Sequence, residues 1–212
     1  YRMIIETYRE KIDKNSYPEI ILYSMDINKL LDMVAKKQWD DLVEWLSSAI
    51  KALFSAGADF AFISANTPHI GVEQVKKLSP IPLISIIEEA GNTTASLGIE
   101  KGGLLGTLFT MQNKFYQEVF NKKDIEIIVP NEYEQHYIHN KLMTEIEIGI
   151  FKDETREGLL NIIKRMKSEE GIKGVILGCT ELPLILTKSE FELPFINPTV
   201  SHVESILKHC IE

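Results

Sequence analysis

Short apolar runs alternate with longer amphipathic stretches along the whole chain, and no other feature of the sequence restricts the fold as strongly. The apolar runs are strand-sized, whereas the amphipathic stretches repeat their apolar residues with a helical period. The predicted strands are residues 20–23, 59–64, 82–86, 102–106, 124–129, 174–177 and 193–196. The predicted helices are residues 39–56, 69–77, 87–97, 111–120, 133–149, 153–170 and 199–209. Such alternation is typical of parallel sheets covered by helices, so we predict an α/β fold.

The length allows one large domain or two small ones, since the chain has 212 residues and a domain takes about 100–200. The best candidate boundary is the turn around residues 96–101, where a strand begins again after a helix. A short echo favours two halves, because Ser-Ala-Asn-Thr-Pro follows one predicted strand and Gly-Cys-Thr-Glu-Leu-Pro follows another.

The composition excludes several classes of protein. A formal net charge of −8 provides no basic footprint for nucleic acid. No apolar run approaches the roughly 20 residues that a membrane-spanning helix needs. The cysteines are Cys179 and Cys210, which fits a reducing compartment such as the cytoplasm and gives neither a disulfide framework nor the spacing of a structural metal site.

The turns after the strands are the places to look for chemistry, because α/β sheets bind their ligands at the carboxyl ends of the strands. Cys179 follows one predicted strand directly, and Gly178 before it allows a tight turn. A helix that begins after Cys179 would lower the pKa of the thiol and favour the thiolate. A free cysteine is equally often a small buried apolar residue, so the sequence leaves both interpretations open.

Two further turns carry neutral polar side chains. Asn66 and Thr67 follow the strand at 59–64, and Thr107 and Thr110 follow the strand at 102–106. Amide and hydroxyl groups of this kind suit the binding of a carboxylate, although they are also common helix caps. The turn at Thr107 has no nucleotide-binding glycine pattern. His69 and His202 have packing or capping as their ordinary interpretation.

Several short motifs, taken together, resemble a known family. They are Asn66-Thr67-Pro68-His69, Leu104-Leu-Gly-Thr107 with Thr110 and Tyr116, Val129-Pro130, Gly178-Cys-Thr-Glu181, and Thr199 with His202. In this order they resemble the aspartate/glutamate racemase superfamily, and within it the aspartate racemases most closely. Members of this superfamily work without a cofactor, so the resemblance implies none here, and in particular no pyridoxal phosphate.

The resemblance also implies an architecture. It implies two similar α/β domains with the active site in the cleft between them, and a homodimer as the usual assembly. The first domain would comprise residues 1–97 with about 198–212, and the second residues 98–197. Family members begin with a strand and a Gly-rich turn, whereas this chain enters a helical pattern at Tyr1. A first strand is therefore expected to be missing from the sequence.

The mechanism implied by the resemblance is two-base proton transfer on a small carboxylate or amino acid. One cysteine removes the α-proton, and a second cysteine on the opposite face returns one. Cys179 takes one of these positions. The residues implied to bind the substrate are Asn66, Thr67, Thr107, Thr110, Thr180, Glu181 and His202.

The chain departs from this pattern at two places. The first catalytic cysteine of the family stands directly before the Asn-Thr pair, where this chain has Ala65. Aspartate racemases hold the side-chain carboxylate of the substrate with an arginine and a lysine. The corresponding loop 24–35 offers only Lys29 as a substitute for the arginine, and Glu147 stands where the lysine would fall.

Three functions therefore stay open from the sequence. The first is an amino-acid racemase of the aspartate type that uses Cys179 for proton transfer. The second is a single-cysteine decarboxylase resembling arylmalonate decarboxylase, in which loss of carbon dioxide creates the carbanion and one thiol suffices. The third is a non-catalytic relative that binds a small acid, with an inert Cys179.

Overall fold

The structure is a computed structural model that describes residues 1–211. The chain divides into two compact units. The first comprises Tyr1–Ile86 and the chain from His202 onward, and the second comprises Ile87–Ser201. Residues 87–97 and 198–201, which the sequence-based division places in the first domain, fall within the second unit. The predicted domain limits themselves stay a prediction.

The described part of the chain contains eleven α-helices, numbered in chain order. They are α1 (Arg2–Lys11), α2 (Ile27–Ala35), α3 (Trp39–Ser55), α4 (Val72–Leu78), α5 (Ile86–Ser96), α6 (Leu108–Gln112), α7 (Phe115–Asn121), α8 (Glu132–Thr144), α9 (Asp153–Arg165), α10 (Leu182–Ile185) and α11 (Pro198–His209). Short 3₁₀-helices cover Thr67–Gly71 and Ile146–Ile148, and a π-helical turn, Met166–Glu170, continues α9. No helix of the described chain is both long and apolar enough to cross a membrane.

The strands form two parallel sheets. They are β1 (Ala61–Phe62), β2 (Leu83–Ile84), β3 (Lys101–Leu105), β4 (Glu126–Ile128), β5 (Gly174–Leu177) and β6 (Phe195–Ile196). β1 pairs with β2 in the first unit, and the second unit has a four-stranded sheet in the order β4-β3-β5-β6. Every pairing is parallel, which confirms the predicted α/β class with parallel sheets.

The second sheet lies inside its unit because its central strands are apolar on both faces. All four residues of β5 are buried, as expected for a parallel strand that helices cover on each side. The glycines of β3 make close packing possible: a Cβ on Gly102 would lie 2.5 Å from Cδ1 of Ile176 on β5. The sheet therefore presents two adjacent strand ends, those of β3 and β5, in a fixed register.

The strand predicted at residues 20–23 is wrong. These residues are irregular, and Ile21, Leu22 and Tyr23 are 46%, 77% and 51% exposed. An apolar run becomes a strand only where a neighbouring strand satisfies its backbone, and no described strand pairs with it. The segment instead borders a cavity of about 580 Å³ that β1 and α3 also line.

Residues 24–35 also differ from their prediction as a loop. Most of the segment is α2, and the side chain of Asp26 caps it by accepting the backbone N–H of Asn28 at 2.9 Å. Leu30 and Met33 lie one turn apart and are buried in the core of the first unit. The spacing of these two residues is the helical period that identifies α2 as an amphipathic helix.

Candidate active site

The ends of β3 and β5 bring two of the predicted site residues to one edge of the second sheet. Leu105 is the register partner of Leu177. The N–H of Gly178 then donates to the carbonyl oxygen of Leu105 at 2.7 Å, so the two chains stay together one residue beyond the strands. Thr107 and Cys179 follow directly, at the carboxyl edge where ligands of parallel sheets bind.

Gly178 is required at this place by contact rather than by an unusual backbone angle. A Cβ there would lie 2.8 Å from Cδ1 of Leu104 and 3.0 Å from the carbonyl oxygen of Leu105. The carbonyl oxygen of Leu105 cannot move away, because Leu105 belongs to β3. The glycine thus lets the turn that carries Cys179 lie against β3.

Cys179 is buried, with 7% of its surface exposed, and its thiol faces two carboxylates. Sγ donates to Oε2 of Glu181 at 3.0 Å and lies 3.9 Å from Oε1 of Glu147. Burial is the main reason that the pKa of Cys179 is raised well above its ordinary value, and the carboxylates of Glu181 and Glu147 raise it further. A hydrogen bond from the backbone N–H of Glu181 lowers the pKa of Cys179, but this effect is smaller than the sum of the effects that raise it.

The expectation that a following helix lowers the pKa of Cys179 is therefore wrong. The helix after the turn, α10, has four residues and begins only at Leu182, so its dipole is small and does not start at the thiol. Cys179 is protonated in the free protein at neutral pH. A base must take its proton before the sulfur can act as a base itself.

Glu181 and Glu147 differ in their hydrogen bonds and in their exposure to solvent. The hydroxyl of Thr180 donates to both oxygens of Glu181, at 2.8 and 2.7 Å, so the hydroxyl proton is already used within the turn. Glu147 is exposed and lies in the 3₁₀-helix Ile146–Ile148 that follows α8. Burial of the carboxylate, and then the charge of Glu181, raise the pKa of Glu147.

The sulfur and the two carboxylates lie within 4.8 Å of one another. Among the described residues, Glu147, Cys179 and Glu181 form the one group of three such side chains that could hold a metal ion. A thiolate with two carboxylates would suit a zinc ion. Glu147 lies beside the thiol but was not among the predicted site residues. Glu147 lies 32 residues before Cys179. Its one signal in the sequence was an acid at the place where the aspartate racemases have a lysine.

Thr107, Thr110 and Tyr116 line the β3 side of this turn. The hydroxyl of Thr107 accepts the N–H of Thr110 at 3.3 Å as the cap of α6 and lies 3.2 Å from the hydroxyl of Thr110. Thr110 is 1% exposed, and its methyl group would be 3.2 Å from a Cβ on Gly178. Tyr116 is fully buried, and burial followed by the nearby charge of Cys179 raises its pKa. Thr107 is the half-exposed hydroxyl of the three.

The first unit holds the remaining predicted site residues. Ala65, Asn66 and Thr67 form the turn between β1 and the 3₁₀-helix Thr67–Gly71. Asn66 is buried, whereas Ala65 and Thr67 are half-buried. The carbonyl oxygen of Ala65 accepts Nδ1–H of His69 at 2.8 Å, and the carbonyl oxygen of Asn66 accepts the N–H of His69 at 3.0 Å. The turn is fixed by its own backbone.

His69 and His202 are both buried and neutral in the first unit. Burial, followed by the charge of His202, lowers the pKa of His69 to about 3. Nε2 of His202 donates to the carbonyl oxygen of Ile84 at 3.1 Å, its ring meets Phe62 edge-on, and burial lowers its pKa to about 4. These contacts favour packing for both histidines, and a role of His202 toward substrate stays a prediction.

Comparisons with known proteins point in one direction. The family model described as Asp/Glu/hydantoin racemase matches residues 1–206. The chain is 23% identical over 189 residues to the broad specificity amino-acid racemase RacX of Bacillus subtilis (strain 168), covering 89% of this chain and 80% of the relative.

Solved structures agree with this match. The chain is similar to an aspartate racemase homologue from Pyrococcus horikoshii OT3, with a TM-score of 0.90, 32% identity and coverage of 100% of this chain and 92% of the other. It is also similar to glutamate racemase from Aquifex pyrophilus, with a TM-score of 0.66, 19% identity and coverage of 98% and 78%. At that identity the second likeness concerns the fold alone.

Proposed function

The chain belongs to the Asp/Glu/hydantoin racemase family, and from that premise we propose that it is a cofactor-independent amino-acid racemase in which Cys179 transfers the α-proton. The observation that supports this most directly is the thiol of Cys179, which donates to Glu181 at the carboxyl edge of the sheet. The resemblance makes aspartate the first substrate to test. A homodimer and a cytoplasmic location belong to the same proposal.

The first step of the proposed mechanism is activation of the thiol. The 3.0 Å hydrogen bond from Sγ to Oε2 of Glu181 gives the thiol proton a direct route to a carboxylate. Substrate binding favours this transfer, because the α-ammonium group adds positive charge beside the new thiolate. Thr180 keeps the carboxylate of Glu181 in place through its own hydrogen bond.

The second step removes the α-proton. The thiolate takes the proton from Cα, and the electron pair of the C–H bond moves into the substrate carboxylate as an enediolate. Hydroxyl and amide donors stabilise the charge that develops there, and Thr107 takes this role because its strand ends next to the strand that carries Cys179. Return of a proton to the opposite face of the carbanion completes the inversion.

Ala65 limits the return step, because a methyl group neither gives nor takes a proton. We therefore propose that Cys179 exchanges the α-proton of one enantiomer faster than the protein interconverts the two enantiomers. Water is then the proton source on the other face. The rate of exchange on one face should exceed the rate of inversion.

The test is to incubate L- and D-aspartate, and a panel of other amino acids, in deuterated water and follow α-deuterium by mass spectrometry or NMR. Wild type should exchange at least one enantiomer, and Cys179→Ala should lose that exchange. Cys210→Ala is the matched control, because Cys210 is an exposed free cysteine near the end of α11 and should exchange like wild type. Absence of exchange across the panel would remove the proposal.

Decarboxylation is the second candidate, and Ala65 is the observation that favours it. A substituted malonate forms its carbanion by losing carbon dioxide, so the single thiol of Cys179 only has to protonate the product. Release of carbon dioxide from arylmalonates that disappears in Cys179→Ala would support it. Failure of both assays would favour a non-catalytic relative.

A further inference from the structure

We propose that Glu147 and Glu181 make the site at Cys179 select amino acids with a cationic side chain over aspartate and glutamate. The inference rests on the proposed function and names its substrate class. It comes from the geometry of the second unit, where two carboxylates converge on the sulfur that must approach the substrate.

Distance makes the two carboxylates neighbours of any substrate. For proton transfer the α-carbon has to lie about 3–3.5 Å from Sγ. Sγ is itself 3.0 Å from an oxygen of Glu181 and 3.9 Å from an oxygen of Glu147. The groups attached to the α-carbon therefore enter a volume bordered by both acids.

Within residues 1–211, no cationic side chain forms a salt bridge with either of these two carboxylates. Lys141 and Lys152 are the lysines of the adjacent segment, but both pair with Glu145, at 2.7 and 3.0 Å. The salt bridges within the described chain include no partner for Glu147 or Glu181. The side-chain hydrogen bonds of these acids within the described residues come from the thiol of Cys179 and, for Glu181, also from the hydroxyl of Thr180.

The two acids differ in a way that assigns them different parts of a substrate. Glu181 is half-buried and fixed by Thr180 and Cys179, so it lies nearest to the reacting centre and to the α-ammonium group. Glu147 is exposed at the outer side of the thiol, where a side chain that extends from the α-carbon can reach it. A side-chain ammonium group would pair with Glu147, whereas a side-chain carboxylate would be repelled.

The first experiment compares substrates in wild type and in variants of Glu147. L-lysine and L-ornithine carry the cation, L-methionine is a neutral chain of similar length, and L-aspartate and L-glutamate carry the acid. Wild type should exchange the α-proton of lysine with a kcat/KM at least about tenfold above that of aspartate. Glu147→Gln should lower the ratio of the value for lysine to the value for methionine by about tenfold, because this ratio cancels any effect of the variant on the thiol itself, and Glu147→Lys should favour aspartate. A tenfold change is about 1.4 kcal/mol.

Glu157→Gln is the matched control. Glu157 is an exposed acid on α9, so its replacement makes the same change in net charge away from the thiol. It should keep the preference of wild type. A loss of lysine selectivity in Glu157→Gln equal to that in Glu147→Gln would overturn the inference, because the effect would then come from net charge alone.

A binding measurement separates this inference from the proposed function. Isothermal titration calorimetry gives the Kd of L-lysine and L-aspartate without any turnover. Lysine should bind at least about tenfold more tightly than aspartate, and Glu147→Gln should remove the difference. Equal or tighter binding of aspartate, or binding of neither, overturns the inference even if α-proton exchange occurs. Selective binding of lysine without exchange supports it while the proposed racemisation fails.

Discussion

At the scale of single residues, burial and two acidic neighbours together keep the thiol of Cys179 protonated. Its burial and its hydrogen bond to Glu181 both favour the protonated form. We therefore expect the thiolate of Cys179 to form when a positively charged group of a ligand binds beside it, because the turn itself supplies no cation. This differs from the usual activated cysteine, which lies beside a base or a helix N-terminus.

Replacement of Glu181 by glutamine should lower the pKa of Cys179, because the variant removes a negative charge and a carboxylate that accepts the thiol proton. We expect alkylation of Cys179 by iodoacetamide at pH 8 to become about tenfold faster, which corresponds to about one unit of pKa. Peptide mass spectrometry measures it, with Cys210 in the same molecule as the internal control. An unchanged rate at Cys179 would show that Glu181 has no influence on the thiol.

The substitution Ala65→Cys restores the residue that the family has directly before the Asn-Thr pair. On the proposed function, a thiol at this position supplies the second proton-transfer group, so racemisation should rise by about 10²-fold, the scale of general acid catalysis. Ser64→Cys places a thiol one residue away and should not have this effect. Chiral chromatography of the product follows the change. Equal rates in the two variants would contradict the position inferred for Ala65.

At the scale of elements, α8 connects the site to the interior of the second unit. Its first turn is closed by a capping box, in which Asn131 accepts the N–H of Glu134 at 3.0 Å and Glu134 accepts the N–H of Asn131 at 3.1 Å. Glu134 also forms an ion pair with Arg165 of α9 at 2.5 Å. The 3₁₀-helix that carries Glu147 follows the other end of α8.

Loss of the cap should therefore destabilise the second unit. Asn131→Ala removes one side of the capping box and should lower the free energy of unfolding by about 1 kcal/mol. Asp26→Ala removes the side-chain cap of α2 and is the control of the same type in the first unit. Urea unfolding followed by circular dichroism measures both. If Asn131→Ala did not change the urea concentration at the midpoint of unfolding, the stabilising role of the capping box would be contradicted.

At the scale of the whole molecule, the two units differ in how much structure supports their sheets. β3 and β5 each pair with strands on both sides, whereas β1 pairs with β2 in a two-stranded sheet. Two strands alone are only marginally stable and depend on the helices that cover them. The first unit also contains the cavity of about 580 Å³ and the exposed apolar residues 21–23.

Amide hydrogen exchange should therefore be slower in the second sheet. We expect protection of β3 and β5 to exceed that of β1 and β2 by at least about tenfold, because local opening of the smaller sheet breaks fewer contacts. Exchange measured by NMR or by mass spectrometry of peptic fragments would establish the order. Equal protection in both sheets would mean that the chain opens as one cooperative unit.

Acid should destabilise the protein through its buried histidines. His69 and His202 have folded-state pKa values of about 3 and about 4, both below the value of about 6.5 in an unfolded chain. The unfolded state therefore binds more protons below pH 6.5. The stability that neutral histidines provide is complete above that pH and falls as the pH drops toward 4, by up to about 1.4 kcal/mol per pH unit for each histidine.

The measurement is the free energy of unfolding in urea between pH 7.5 and 5. His139, which is partly buried with a lowered pKa, acts in the same direction. The pKa of Glu145 is lowered from 4.5 to about 2, so its contribution to stability is lost mainly as the pH falls below about 4.5, outside this interval. His209→Gln is the control, because it replaces an exposed histidine and should keep the slope. A stability independent of pH from 7.5 to 5 would contradict buried neutral histidines.

Much of this protein was determined by the sequence alone, because the informative patterns lie in consecutive residues. The alternation of apolar runs with helical periods predicts the α/β class, and the motif at Gly178-Cys-Thr-Glu181 marks the turn that carries the thiol. Local patterns were insufficient at residues 20–23, since an apolar run becomes a strand only when another strand pairs with it.

The tertiary structure decided what surrounds Cys179. Glu147 lies 32 residues earlier in the chain, and only the folding of α8 and the following 3₁₀-helix brings its carboxylate within 3.9 Å of the sulfur. Burial of the thiol against these acids, which no local pattern encodes, reverses the expected direction of its pKa. Sequence thus determined where the thiol stands, and long-range contacts determined its charge environment, because electrostatic energy depends on distance in space rather than along the chain.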